Sequence, residues 1–132
     1  MVARHRGIVL AGAALAAALP AAAHVASATA RRAPETSVGI SAREFRLAAY
    51  RDSAPRGFLR FNLANYGEDV HNLVVRDADG REISRSREVR SGQRTTLRVR
   101  LAAGRYRLVC DLADHELRGM RASIRVTRAS RG

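Results

Sequence analysis

The chain has 132 residues, enough for one domain, with a formal net charge of +12 and a single cysteine. One cysteine excludes an internal disulfide framework. The 24 basic residues are all arginine and aromatics make up only 5%, so little is available to stack bases, and the charge reads as a solvated arginine face rather than a nucleic-acid footprint.

The N-terminus reads as a signal peptide over residues 1–30. "MVARHRG" supplies a positive start with Arg4 and Arg6, and "IVLAGAALAAAL" from Ile8 to Leu19 supplies the apolar run. That run is far shorter than the ~20 residues a membrane span needs. No transmembrane anchor is therefore expected after cleavage. Small-residue cleavage signals end at Ala23, Ala28 and Ala30. His5 separates Arg4 from Arg6, so there is no twin arginine, and the general export route is expected. The expected location is periplasmic or secreted. Cleavage after Ala28 or Ala30 removes His5, His24 and Met1. His71, His115, Cys110 and Met120 remain.

"RRAPETS", residues 31–37, reads as a linker broken by Pro34. From Val38 the apolar residues recur with period two, the signature of half-buried strands. "SVGISAREFRLAAY" reads as one rough first strand, with a bulge to absorb its irregular pattern. "GFLRFNLANYG" sets Leu59, Phe61 and Leu63 against Arg60 and Asn62. "VHNLVVRDADG" sets His71, Leu73 and Val75 on one face and ends in an Asp-Gly turn. "REISRSREV" reads as a weak strand. "RTTLRVRLAAG" puts Leu97, Val99 and Leu101 inside and Arg98 and Arg100 outside. "GRYRLVCDL" has Tyr106, Leu108 and Cys110 in phase. "MRASIRVTR" has Met120, Ala122, Ile124 and Val126 in phase, and residues 129–132 read as a tail. Short strands punctuated by turns predict an antiparallel all-β sandwich over residues 38–128, with no long helix, repeat or second domain. A monomer is expected.

His71, Cys110 and Met120 each share a face with the apolar residues of their own strand, and His115 lies in the loop "CDLADHELRGM". Taken singly, each has a plainer reading. Cys110 alone would be a buried core thiol, Met120 core filling, His115 a surface loop residue and His71 a hydrogen-bonded core histidine. Taken together they are two imidazoles, a thiolate and a thioether. Two His and one Cys with a weak axial Met describe a blue-copper site. Zinc would prefer a fourth His, Cys or carboxylate over the thioether.

"HNLVV", followed by "YRLVCDLADHELRGMRASIRV", resembles the cupredoxins, the plastocyanin and azurin type of small copper protein. The likeness spans roughly Val38 to Arg128. It implies a Greek-key β-sandwich and one type 1 copper ion, held by His71, Cys110, His115 and Met120. It also implies that Asn72 ties the two ligand segments together and helps position the thiolate. "NYGEDVHNL" matches the family's Asn-x-Gly turn before the first ligand. Many members carry Pro-Gly before the second histidine; this chain has Ala113 and Asp114, which implies a more polar docking surface around an exposed His115.

The function so implied is that of an exported one-electron carrier, cycling Cu(I) and Cu(II) and not an enzyme. The alternative is a copper delivery or storage protein without a redox partner. A metal-free interaction module would need the ligand pattern to be a coincidence. The expected partner is a redox protein or a copper-acceptor protein with an acidic surface. Asp111, Asp114 and Glu116, close to the ligand loop, are candidate docking charges.

Overall fold

The computed structural model describes residues 34–128. The expected signal peptide and tail lie outside them. Nine strands run in chain order: β1 (Glu35–Arg43), β2 (Arg46–Ala49), β3 (Ser53–Pro55), β4 (Gly57–Asn65), β5 (Val74–Arg76), β6 (Glu82–Arg85), β7 (Arg94–Leu101), β8 (Gly104–Val109) and β9 (Arg121–Thr127). Alternation of apolar residues with arginines fixes which face of each strand is dry. In β7, Leu97, Val99 and Leu101 are buried while Arg94, Arg98 and Arg100 are exposed, and β9 repeats this with Ile124 and Val126.

The strands form two sheets, ordered β2-β1-β4-β7 and β3-β9-β8-β5-β6. Val38, Ile40, Leu59, Phe61, Leu63, Leu97, Val99 and Leu101 from the first meet Val75, Leu108, Ile124 and Val126 from the second, with Leu73 just before β5, in one core. Cys110 and Met120 belong to the same core. Burying one such side chain stabilises the fold by about 1.5–3 kcal/mol, and Phe61 and Leu59 are wholly enclosed. Among the described residues no helix is long and apolar enough to cross a membrane.

The all-β sandwich is as expected, but the sheets are mixed rather than wholly antiparallel. β1 runs parallel to β4, with Val38 opposite Phe61, and β3 runs parallel to β9, with Ala54 opposite Val126. Period two tells which face a residue takes, not the direction of the neighbouring strand. Two boundaries also move. β1 begins at Glu35, inside the stretch read as a linker, because pairing with Phe58 onward gives its backbone partners. The rough first strand is a hairpin: β1 turns at Glu44 and Phe45 and returns as β2, pairing Arg43 with Arg46. That turn places Glu44 at the end of the sandwich where the ligand residues lie.

Candidate metal centre

The ligand residues come from two segments brought together by one strand pair. β5 pairs with β8, setting Val74 opposite Val109, so the residues just before β5 lie beside those just after β8. His71 precedes β5 and is pinned by reciprocal backbone bonds with Val89: its N–H donates to the Val89 carbonyl at 3.0 Å, and the Val89 N–H returns at 2.8 Å. Cys110 follows β8. The loop from Asp111 to Gly119 then folds on itself. The His115 N–H donates to the Leu112 carbonyl, Arg118 N–H to Asp114 and Met120 N–H to His115, each at 3.0 Å. Gly119 closes the turn at φ 110°, a backbone shape costly for a residue with a Cβ. The Cys110 N–H donates to the Met120 carbonyl at 3.1 Å, so the loop ends where it began.

Three donor atoms meet inside this corner. His71 Nδ1 and His115 Nδ1 are 3.3 Å apart, and Cys110 Sγ lies 3.9 Å from the first and 3.5 Å from the second. His71 and Cys110 are fully buried and His115 is 7% exposed. Metal bonds of about 2.0–2.1 Å to imidazole and about 2.3 Å to thiolate would, in a trigonal plane, separate the nitrogens by ~3.5 Å and each nitrogen from sulfur by ~3.8 Å. The observed triangle has those proportions. Two imidazoles and a thiol closing on one point therefore fit a single metal ion, and His71, Cys110 and His115 lie together as a candidate copper site. Met120 is fully buried and adjoins both neighbours through its backbone, bonded to His115 on one side and Cys110 on the other.

Burial pushes the Cys110 thiol above its usual range, and backbone N–H groups of Asn72 and Leu112 directed at the sulfur pull it part of the way back. A bound cation would complete the shift, since a coordinating thiol is deprotonated outright. Asn72 is bonded to Asp111 through both its oxygen and its nitrogen. Burial pushes the Asp111 carboxyl up, but the bonds from Asn72 and Arg85 outweigh it and hold it below the usual carboxylate range.

Several residues of this corner carried no signal in the sequence. Glu44 reaches across from the β1–β2 turn and places Oε1 2.9 Å from His71 Nε2. The Phe45 ring packs edge-on against His115, with centroids 5.3 Å apart, beneath the Arg118 guanidinium 3.5 Å from its centre. Arg76 binds both oxygens of Glu116, at 3.1 and 2.9 Å, and Arg85 grips Asp111 at 2.9 Å and Glu82 at 2.6 Å. One expectation changes accordingly: the His115 side chain is only 9% exposed, because Phe45 packs against it. Of the three acidic residues near the loop, Asp111 and Glu116 are paired with Arg85 and Arg76, whereas Asp114, 3.9 Å from Arg118 and 60% exposed, is open to solvent. Apart from the local Glu82–Arg85 and Asp114–Arg118 pairs, these contacts join residues distant in sequence, so no local pattern could announce them.

No family model matches the chain, and no curated protein matches it. Solved structures do. The dithionite-reduced auracyanin of Roseiflexus castenholzii is 19% identical, with 70% of this chain and 97% of that one aligned at a TM-score of 0.60. Auracyanin A of Chloroflexus aurantiacus, described as a "blue" copper protein, is 13% identical over 71% of this chain and all of its own, at 0.61. Rusticyanin from Thiobacillus ferrooxidans is 14% identical over 70% and 77%, at 0.60. The strand order, the two-sheet packing and these likenesses agree that the chain has the cupredoxin fold.

Proposed function

We propose that this protein is an exported mononuclear copper protein that carries one electron at a time. The observation that carries the reading is the buried triangle of His71 Nδ1, His115 Nδ1 and Cys110 Sγ, with side-to-side distances of 3.3, 3.5 and 3.9 Å. His71, Cys110 and His115 would hold the ion, with the buried thioether of Met120 as a weak further donor. A copper ion bound there supplies a one-electron couple between Cu(I) and Cu(II).

The chain's own contribution is a site that barely moves. The Val89 bridge holds His71, the Asn72–Asp111 pair joins the two ligand segments, and the Arg76–Glu116 pair fixes the loop. Ligands held in place in both oxidation states reduce the reorganisation that electron transfer requires. The core around Cys110 and Met120 excludes water. His115 has the most exposed of the donor side chains, at 9%, and its edge is the exit toward a partner. Enzymatic turnover is not part of this reading, since four protein donors leave no open position for a substrate.

Burial and bracing favour a carrier over a delivery or storage protein. An ion to be handed on needs exposed, displaceable ligands, whereas His71 and Cys110 have no exposed surface. Export and a redox partner outside the cytoplasm accompany the reading. Copper loading of the purified domain followed by visible spectroscopy and voltammetry tests it. An intense thiolate-to-copper band in the red and a reversible one-electron wave are expected. A colourless protein that binds copper, or rapid loss of Cu(I) to a weak chelator, would overturn the carrier assignment.

A further inference from the structure

The two histidines are not held alike. Beyond His115 Nε2 the closest carboxylate, Asp69 Oδ2, is 3.8 Å away, too far for a hydrogen bond. Beyond His71 Nε2 the Glu44 Oε1 atom stands at 2.9 Å. His71 belongs to the segment that leads into β5 in one sheet, while Glu44 sits between β1 and β2 of the other. A single hydrogen bond therefore links the ligand to the opposite layer of the sandwich.

The structure around Glu44 is arranged to receive its carboxylate. The same Oε1 accepts the backbone N–H groups of Glu68 and Asp69, both at 2.8 Å. Gly67 leaves the space: a Cβ there would collide with the Glu44 carboxylate. Asn65 shapes the turn from within. Its Oδ1 accepts the Gly67 N–H at 2.8 Å, and its Nδ2 donates to the carbonyls of Asp69 at 2.7 Å and Val89 at 2.9 Å. Val89 is the residue that pins the His71 backbone. The stretch from Asn65 to His71 thus wraps one carboxylate oxygen and aims one imidazole.

A carboxylate is an acceptor only, so the His71 nitrogen facing it must carry the hydrogen. In the neutral ring that leaves Nδ1 with its lone pair, and Nδ1 is the atom turned toward His115 and Cys110. Which nitrogen ligates is set by the bond the other one makes. A carboxylate behind a ligating imidazole also raises its basicity, and its negative charge favours the more positive metal ion.

We infer that Glu44 is a positioning residue of the metal centre: it fixes His71 as the Nε2–H tautomer with Nδ1 directed inward, and its charge favours Cu(II) over Cu(I). This rests on the copper reading for its second half only; the tautomer is a property of the metal-free protein. A carboxylate that merely satisfied a buried histidine would support the fold and leave the oxidation-state preference untouched.

Two substitutions separate these roles. Glu44→Gln keeps an acceptor oxygen for Glu68, Asp69 and His71 but removes the charge. Glu44→Ala removes the acceptor. Long-range proton–nitrogen NMR correlations on the metal-free protein read the tautomer. Wild type and Glu44→Gln are expected to show His71 with hydrogen on Nε2 alone, and Glu44→Ala a mixture. In the copper-loaded protein, Glu44→Gln is expected to lose about tenfold in Cu(II) affinity, at the low end of what outer-shell changes cost. With Cu(I) affinity unchanged, that tenfold raises the reduction potential by about 59 mV. Wild-type His71 carrying its hydrogen on Nδ1, or a Glu44→Gln potential equal to wild type, would overturn the inference. A wild-type protein that takes up no copper sinks the function proposed above instead, and the tautomer measurement still decides whether Glu44 positions His71.

Discussion

Asn72 and Asp111 exchange two hydrogen bonds across the gap between the ligand segments. The Asn72 amide donates to Asp111 Oδ1 at 2.8 Å, and the Asp111 N–H donates to Asn72 Oδ1 at 3.2 Å. One partner follows His71 directly and the other follows Cys110, so the pair sets the distance between two donors 39 positions apart. Asn72→Ala leaves a half-buried N–H without its acceptor, a loss of about 1–3 kcal/mol. The expected result is a metal-free protein less stable by that amount that still binds copper but releases it faster. Urea denaturation and chelator competition read the two effects separately.

Cys110→Ser is expected to abolish the red absorption band and weaken copper binding by more than any other single ligand change. The thiolate is the softest donor of the set and the source of the colour. Absorption and isothermal titration of the mutant provide the check, and retention of a wild-type spectrum would place the site elsewhere.

Met120→Leu is expected to keep copper bound and raise its potential. Leucine closely matches the volume of methionine, so the core around residue 120 should change stability by less than ~1.5 kcal/mol. Removing a weak donor from a dry pocket favours the lower-charged ion. Voltammetry showing an unchanged or lower potential would remove Met120 from the ligand set.

Asp114 and Glu116 flank His115 but should behave differently on substitution. Glu116 is bound to Arg76, whereas Asp114 faces solvent. Asp114→Asn should change the association rate with a redox partner and its salt dependence, since rim charges act mainly on encounter. Glu116→Gln should instead loosen the loop and lower thermal stability, by about 1 kcal/mol or less for a half-exposed pair. Stopped-flow rates at two salt concentrations, beside melting curves of both variants, distinguish them.

Glu44 also carries a pH signature. The Asp69 N–H above all, then its own N–H, His71 and the Glu68 N–H, outweigh the upward push of burial and hold its carboxyl down to about 2 against an ordinary 4.5. A depressed carboxyl contributes stability that is complete above its unfolded value and is lost as pH falls toward its folded one. Wild type should therefore exceed Glu44→Gln in stability at pH 6, with the margin shrinking between about 4.5 and 2. Paired denaturation curves of the metal-free proteins across that range test it, and a margin constant down to pH 2 would contradict it.

Much of the fold could be read from the sequence because arginines mark the wet face so regularly. In β7 and β9 the inward residues Leu97, Val99, Leu101, Ile124 and Val126 are buried as expected, and Ala122 is partly so. The pattern failed where both faces are covered or no turn residue intervenes. Residues 71–75 are buried without alternation, because the Asp111–Gly119 loop and its arginine pairs close one side and the core the other. "SAREFRLA" contains no Gly, Pro, Asn or Asp to announce the turn that splits it into β1 and β2. The parallel neighbours β1 and β4 were illegible for a different reason: alternation carries no direction. At the site, Cys110, His115 and Met120 stood out because such residues are scarce in this chain. Glu44 did not, since acids are ordinary at turns and its role depends on a fold that brings it to a residue 27 positions away.

The sole thiol, Cys110, has no exposed surface. An alkylating reagent can reach it only when the corner between β8 and β9 opens, so labelling rate in the metal-free protein measures local opening rather than intrinsic thiol reactivity. No second cysteine competes for the reagent, and every modified molecule reports the same event. The same enclosure keeps the unpaired thiol from linking two copies of the folded chain. The one cysteine is thereby also a built-in clock for how often the sandwich breathes at that end.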